Sequence, residues 1–194
     1  MKIKWGKVGG LLLCMVLLLA ALAHPAFAAC DHTYRNNTCT SCGQIGGICG
    51  MDATWNYDPD TNTLEILGSG AMIHYSLESP APWSIYAEEI KKIKIADEIT
   101  SIGKYAFYGC KLVKTITVPM EATTVDPTAF YECTSLRWIE VAFGNEKFGY
   151  DENGVLYNKS KTALYVVPAR FTGEYTLPKK SPVSPPVPSA ALPD

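Results

Sequence analysis

Two stretches decide the fold: Ile102-Gly103-Lys104-Tyr105-Ala106-Phe107-Tyr108-Gly109-Cys110 and, 23 residues on, Val125-Asp126-Pro127-Thr128-Ala129-Phe130-Tyr131-Glu132-Cys133. Ala-Phe-Tyr-x-Cys occurs in both at the same register. Working outward, the same offset relates Ile90, Val113 and Leu136, then Ile93, Ile116 and Ile139, then Ile95, Val118 and Val141. Each unit holds an apolar-x-apolar strand (Ile93-Lys94-Ile95, Ile116-Thr117-Val118, Ile139-Glu140-Val141), then a turn, then the Ala-Phe segment, expected as a short helix or 3₁₀ turn. One strand and one turn cannot bury their own apolar faces, whereas stacked units cover one another. The period therefore predicts a repeat solenoid, mostly β, with short parallel strands along one side.

The run Ile99-Thr100-Ser101-Ile102-Gly103-x-x-Ala106-Phe107-x-x-Cys110, followed by Ala129-Phe130-x-x-Cys133-x-x-Leu136, resembles the BspA-type leucine-rich repeats of bacterial surface and secreted proteins. Cys49-Gly50 through Trp55, Gly68-Ser69-Gly70-Ala71-Met72 and Ala81-Pro82-Trp83 resemble the lead-in before such repeats. Gly154-Val155-Leu156-Tyr157-Asn158 and Ala163-Leu164-Tyr165-Val166-Val167-Pro168 resemble a longer unit that carries a hairpin. The resemblance implies a leucine-rich-repeat fold, surface display, and adhesion or protein binding. Core positions define a family of this kind, so it implies no particular chemistry.

The remainder of the 194 residues divides by composition. Residues 1–28 read as a secretory signal peptide: Lys2, Lys4 and Lys7, an uncharged run from Leu11 to Ala23, then Ala26-Phe27-Ala28 before the cleavage point. A retained anchor and a lipidated Cys30 are the alternatives; His24 and Pro25 weigh against the first and Phe27 against the second. Residues 29–50 form a Cys-rich knuckle, 51–85 a β lead-in, 86–178 the repeats, and 179–194 a tail. In the lead-in, Thr54-Trp55-Asn56-Tyr57, the turn-forming Asp58-Pro59-Asp60-Thr61-Asn62 and Thr63-Leu64-Glu65-Ile66-Leu67 read as a hairpin closed by Gly68-Ser69-Gly70, and Trp83 as packed on the core. Tyr175-Thr176-Leu177-Pro178 occupies the place of a last repeat strand, but Pro182, Pro185, Pro186 and Pro188 follow and predict an extended, polyproline-like segment. That departure suits either a linker or a shortened protein that once carried more repeats.

Removing the three leader lysines from 17 basic residues leaves 14 against 19 acidic ones, a charge near −5. No basic footprint for nucleic acid survives that balance. The expected product is secreted or held at the cell surface.

Candidate chemistry concentrates in the knuckle. Cys30, His32, Cys39 and Cys42 offer three thiolates and an imidazole, enough to close a tetrahedral structural zinc site, with Cys-x-x-Cys as the tight pair. Two disulfides among Cys30, Cys39, Cys42 and Cys49 are the alternative in an exported chain. Cys110 and Cys133 share one repeat position and read as small buried hydrophobes, close enough in adjacent coils for a disulfide in principle. Strand alternation turns Lys92, Thr115 and Trp138 outward in one column and Lys94, Thr117 and Glu140 in another, a surface for a protein or glycan partner. For Trp138 the competing reading is local packing against aromatic side chains after Val141.

Asp58-x-Asp60-x-Asn62 resembles the opening of a calcium loop but lacks its glycine and distal glutamate, so turn chemistry explains it. Asn36-Asn37-Thr38 and Asn158-Lys159-Ser160 are glycosylation triplets. His74 has no nucleophile or carboxylate defined beside it in the sequence, and no hydrolase, metalloprotease or phosphate-loop motif occurs. The expectation is a non-catalytic binding protein, the alternative an accessory or spacer region of a larger secreted enzyme or surface protein.

Overall fold

The computed structural model describes residues 34–40 and 43–172. The leader, the proline-rich segment, and Cys30, His32 and Cys42 of the knuckle lie outside these residues. The described chain is mostly β. Its strands are β1 (Tyr34–Arg35), β2 (Thr38–Cys39), β3 (Ile45–Ile48), β4 (Gly50–Asp58), β5 (Thr63–Met72), β6 (Lys92–Ile95), β7 (Ile99–Ile102), β8 (Thr115–Val118), β9 (Thr124–Val125), β10 (Trp138–Val141), β11 (Phe148–Tyr150), β12 (Leu156–Asn158) and β13 (Leu164–Val166). Two short 3₁₀ helices, Pro82–Tyr86 and Pro127–Phe130, complete it. The second covers the Ala129-Phe130 segment and is capped by Asp126, whose carboxylate accepts from the Thr128 N–H at 2.9 Å. In the preceding unit Ala106-Phe107 lies in plain turns.

β4 and β5 form the hairpin read from the sequence, antiparallel from Asp58↔Thr63 to Gly50↔Met72. Its turn is held by Asp58, whose carboxylate accepts from the Asp60 N–H at 2.9 Å and the Thr61 hydroxyl at 2.6 Å. The glycines do not close β5, contrary to expectation: the strand runs through Gly68-Ser69-Gly70 to Met72. Gly68 and Gly70 take φ of +83° and +79°, and a Cβ on Gly68 would stand 2.1 Å from the Asp52 carbonyl oxygen. The glycines turn β5 a corner. Before the corner, Thr63–Ile66 pair in parallel with β6; after it, Gly70 and Ala71 pair in parallel with β7. One lead-in strand thus templates both strands of the first coil. β3 pairs with β4 from Ile45↔Tyr57 to Ile48↔Thr54, so this sheet continues N-terminally past residue 50.

Later coils repeat at the expected offset. β8 and β10 pair in parallel with Thr115↔Trp138 through Val118↔Val141, and β7 and β9 with Ser101↔Thr124 and Ile102↔Val125. The sequence reading placed one parallel sheet along one side. The structure has two parallel ladders, because Ile99 and Ile102 are both fully buried and draw the segment after the first strand flat onto the core as a second strand. The hydrogen-bonded ladder is also interrupted between β6 and β8. The hairpin-bearing unit is confirmed as the antiparallel set β11, β12 and β13.

The core runs as a file of rings from the lead-in into the repeats. Trp55 meets Trp83 edge-on at 5.5 Å, Trp83 lies 6.3 Å from Phe107, and Phe107 stacks on Phe130 at 6.0 Å. Each such buried ring contributes about 1.5–3 kcal/mol through burial alone. Trp83 Nε1 donates to the Ala106 carbonyl at 2.8 Å, fixing the cap on the first full coil. Cys110 and Cys133 are buried thiols, not a disulfide; Cys133 Sγ donates to the Phe107 carbonyl at 3.2 Å. Burial pushes Cys110 upward in pKa and Cys133 to about 12.

Candidate functional site

Strand alternation produces the outward face. Ile93, Ile116 and Ile139 are buried, while Lys92, Lys94, Thr115, Thr117 and Glu140 are exposed. Register brings Trp138 directly beside Thr115 and Glu140 beside Thr117. Lys92 and Lys94 sit on β6 beside Thr63 and Glu65 of β5, across the interruption between β6 and β8. Lys94 is engaged there, its Nζ 2.5 Å from Glu65 Oε1. Because both side chains are partly solvated, this pair contributes under about 1 kcal/mol.

Trp138 is half-buried rather than a projecting anchor. Its ring meets Tyr150 edge-on at 6.5 Å, and the hairpin-bearing unit presses against it at Gly154, where a Cβ would fall 2.9 Å from Trp138 Cα. The half-exposed Trp138 and the exposed Tyr150 form one aromatic ledge at the end of the strand face. Tyr150 was missed in the sequence because the irregular unit breaks the 23-residue offset. Beyond it Phe143 is fully exposed, in the coil position that Met120 occupies one repeat earlier.

A second concave feature lies on the turn side of the coils, a pocket of about 330 Å³ whose lining includes Leu77, Pro80, Trp83, Tyr105 and Tyr108. Tyr105 is held at φ +49° between ring contacts to Tyr108 at 5.9 Å and Tyr131 at 5.8 Å. A bulky residue in the left-handed region is strained, and the tyrosine cluster is what holds it. Glu88 and Lys111 pair across the rim at 2.8 Å, and Glu132 also lines it. The signal that could have located this pocket is Ala87, which stands 23 residues before Cys110 and so marks Trp83–Ile90 as a degenerate first coil.

Among the described members of the knuckle, Cys39 and Cys49 are buried, and burial raises the Cys49 thiol to about 12. No group of three or more potential metal ligands occurs among the described residues. His74 Nδ1 accepts from the Lys104 N–H at 3.0 Å, a structural bond between the lead-in and the first coil. Asn158 is occupied as a turn residue: its Nδ2 donates to Thr162 Oγ1 at 2.8 Å and its Oδ1 accepts from the N–H groups of Thr162 and Ala163. No helix among the described residues is long and apolar enough to cross a membrane.

No curated protein matches the chain in sequence. Three solved structures are similar. They are a leucine-rich repeat protein from Eubacterium ventriosum (21% identity, 71% of this chain and 55% of that one, TM-score 0.32), the pneumococcal vaccine antigen PcpA (14%, 69% and 59%, TM-score 0.37), and a leucine rich cell surface protein from Faecalibacterium prausnitzii (14%, 69% and 65%, TM-score 0.29). The chain thus spans between about half and two thirds of the length of each. The model of the BspA type leucine rich repeat region matches residues 83–172 in six copies, beginning at Trp83, the second ring of the file. Residues 83–172 are thus a BspA-type leucine-rich repeat region.

Proposed function

We propose that the chain is an exported, non-catalytic binding module, a short repeat solenoid displayed at or beyond the cell surface, whose strand face takes a protein or glycan partner. The observation that carries this reading is the strand register. Thr115 and Thr117 lie beside Trp138 and Glu140 with the intervening apolar positions buried, so polar groups and an aromatic ledge share one surface. Stacked repeats commonly bind through such extended faces. Lys92 and Lys94 extend the polar surface toward the lead-in, and Lys94 exchanges its weak pairing with Glu65 for a partner carboxylate at little cost. The leader at residues 1–28 supports export, and the family supports protein interaction.

The test is adhesion of the purified full chain to immobilised extracellular matrix proteins and to a glycan panel, compared with Trp138→Ala and Lys94→Glu. Binding to a defined member, weakened tenfold or more by either variant with an unchanged thermal midpoint, supports the face. Equal binding by both variants refutes it and leaves a spacer role.

A further inference from the structure

We propose that the pocket on the turn side of the coils is the docking site for the chain's own proline-rich segment, Lys179 to Pro188, acting in cis. The first support is the chemistry of the walls. Trp83, fixed by its bond to the Ala106 carbonyl and almost wholly buried, backs the floor, while the half-buried Tyr105 and the exposed Tyr108, Pro80 and Leu77 form aromatic and apolar walls. Grooves of this kind recognise polyproline II segments, whose preset backbone loses little entropy on binding. Pro182, Pro185, Pro186 and Pro188 supply such a segment.

Reach is the second support. The Arg170 N–H donates to the Leu136 carbonyl at 2.8 Å, so the chain passes Leu136 near the end of the described residues. Glu132, on the pocket rim, precedes Leu136 by four residues, at most ~14 Å along the chain. The roughly ten residues from 172 to 182 can extend over ~33 Å, more than enough to bring the first proline to the pocket. Charge is the third support. The rim carries Glu88 and Glu132 against the single Lys111, and Glu132 makes no ion pair among the described residues. Lys179 and Lys180 immediately precede the prolines and complement that excess of carboxylate. None of the pocket-lining residues belongs to the strand face, so this site is independent of the partner-binding surface proposed above.

The experiment uses the full chain at low micromolar concentration, as an equal mixture of ¹⁴N and ¹⁵N protein, treated with a zero-length carbodiimide that joins lysine amines to nearby carboxylates and read by peptide mass spectrometry. The expected result is an adduct of Lys179 or Lys180 with Glu88 or Glu132, within single-isotope chains. It should fall at least tenfold when Pro182, Pro185, Pro186 and Pro188 are replaced by alanine, which leaves both lysines in place. Tyr108→Ala, at an exposed ring, should lower it likewise. Adducts spread over carboxylates remote from the pocket, or an unchanged yield in the proline variant, would overturn the proposal. Mixed-isotope adducts would also overturn it, making the occupant the segment of a second copy.

Discussion

Asn145 offers the sharpest test of how the coils are held together. It is 2% exposed, and its amide meets four backbone groups: Nδ2 donates to the carbonyls of Pro119 at 2.7 Å and Ala122 at 3.0 Å, in the preceding coil, while Oδ1 accepts from the N–H groups of Lys147 and Phe148, each at 2.8 Å. Asn145→Ala removes all four bonds, three of them buried, and leaves the Pro119 and Ala122 carbonyls and the Phe148 N–H without this partner. At about 1 kcal/mol net for each bond, and more where the orphaned group stays buried, the loss is about 4 kcal/mol. Asn145→Asp separates the donors from the acceptors. It keeps both accepted bonds but faces a carboxylate toward two carbonyl oxygens, so it is expected to destabilise at least as much at neutral pH. The comparison of the two variants therefore separates the bonds donated by Nδ2 from those accepted by Oδ1. Guanidinium denaturation followed by tryptophan fluorescence measures both variants. A loss below about 1 kcal/mol for Asn145→Ala, or parental stability for the aspartate variant at neutral pH, would refute the reasoning.

Three further outcomes follow from the same structure. Trp83→Phe keeps most of the ring file but leaves the Ala106 carbonyl without its 2.8 Å donor, and should lower unfolding free energy by about 1–3 kcal/mol in the same denaturation assay. Gly68→Ala should destabilise by more than about 2 kcal/mol while Ser69→Ala stays within about 0.5, because only the first places a Cβ against the Asp52 carbonyl, at 2.1 Å, with φ at +83°. Burial raises the Cys49 and Cys133 thiols from 9.0 to about 12. The folded values exceed the unfolded ones, so the stability tied to the neutral thiols is complete below about pH 9 and declines as pH rises toward 12. Denaturation midpoints should therefore fall steadily from pH 8 to pH 11, and a flat profile would count against this assignment.

The repeat was legible because a stacked coil imposes the same burial on the same position each time. Ala106 and Ala129 are both fully buried, Phe107 and Phe130 sit where one ring meets the next, and that recurrence survives in one sequence without any relative to compare. The outward positions of Lys92, Lys94, Thr115, Thr117 and Glu140 were legible for the same reason, since alternation is a property of the backbone. For Trp138 the sequence left outward projection and packing against the aromatics after Val141 both open, and the irregular unit that folds Gly154 and Tyr150 against it decides for half-burial. Asn145 reads as an ordinary loop residue until two carbonyls of another coil are brought to its amide. Period, alternation, turn chemistry and the coarse family were thus determined locally, by spacing along the chain. The corner in β5, the division into two ladders, the pocket beneath Tyr105 and the hub at Asn145 were decided only by tertiary structure, because each depends on which backbone groups of distant segments arrive at the same point.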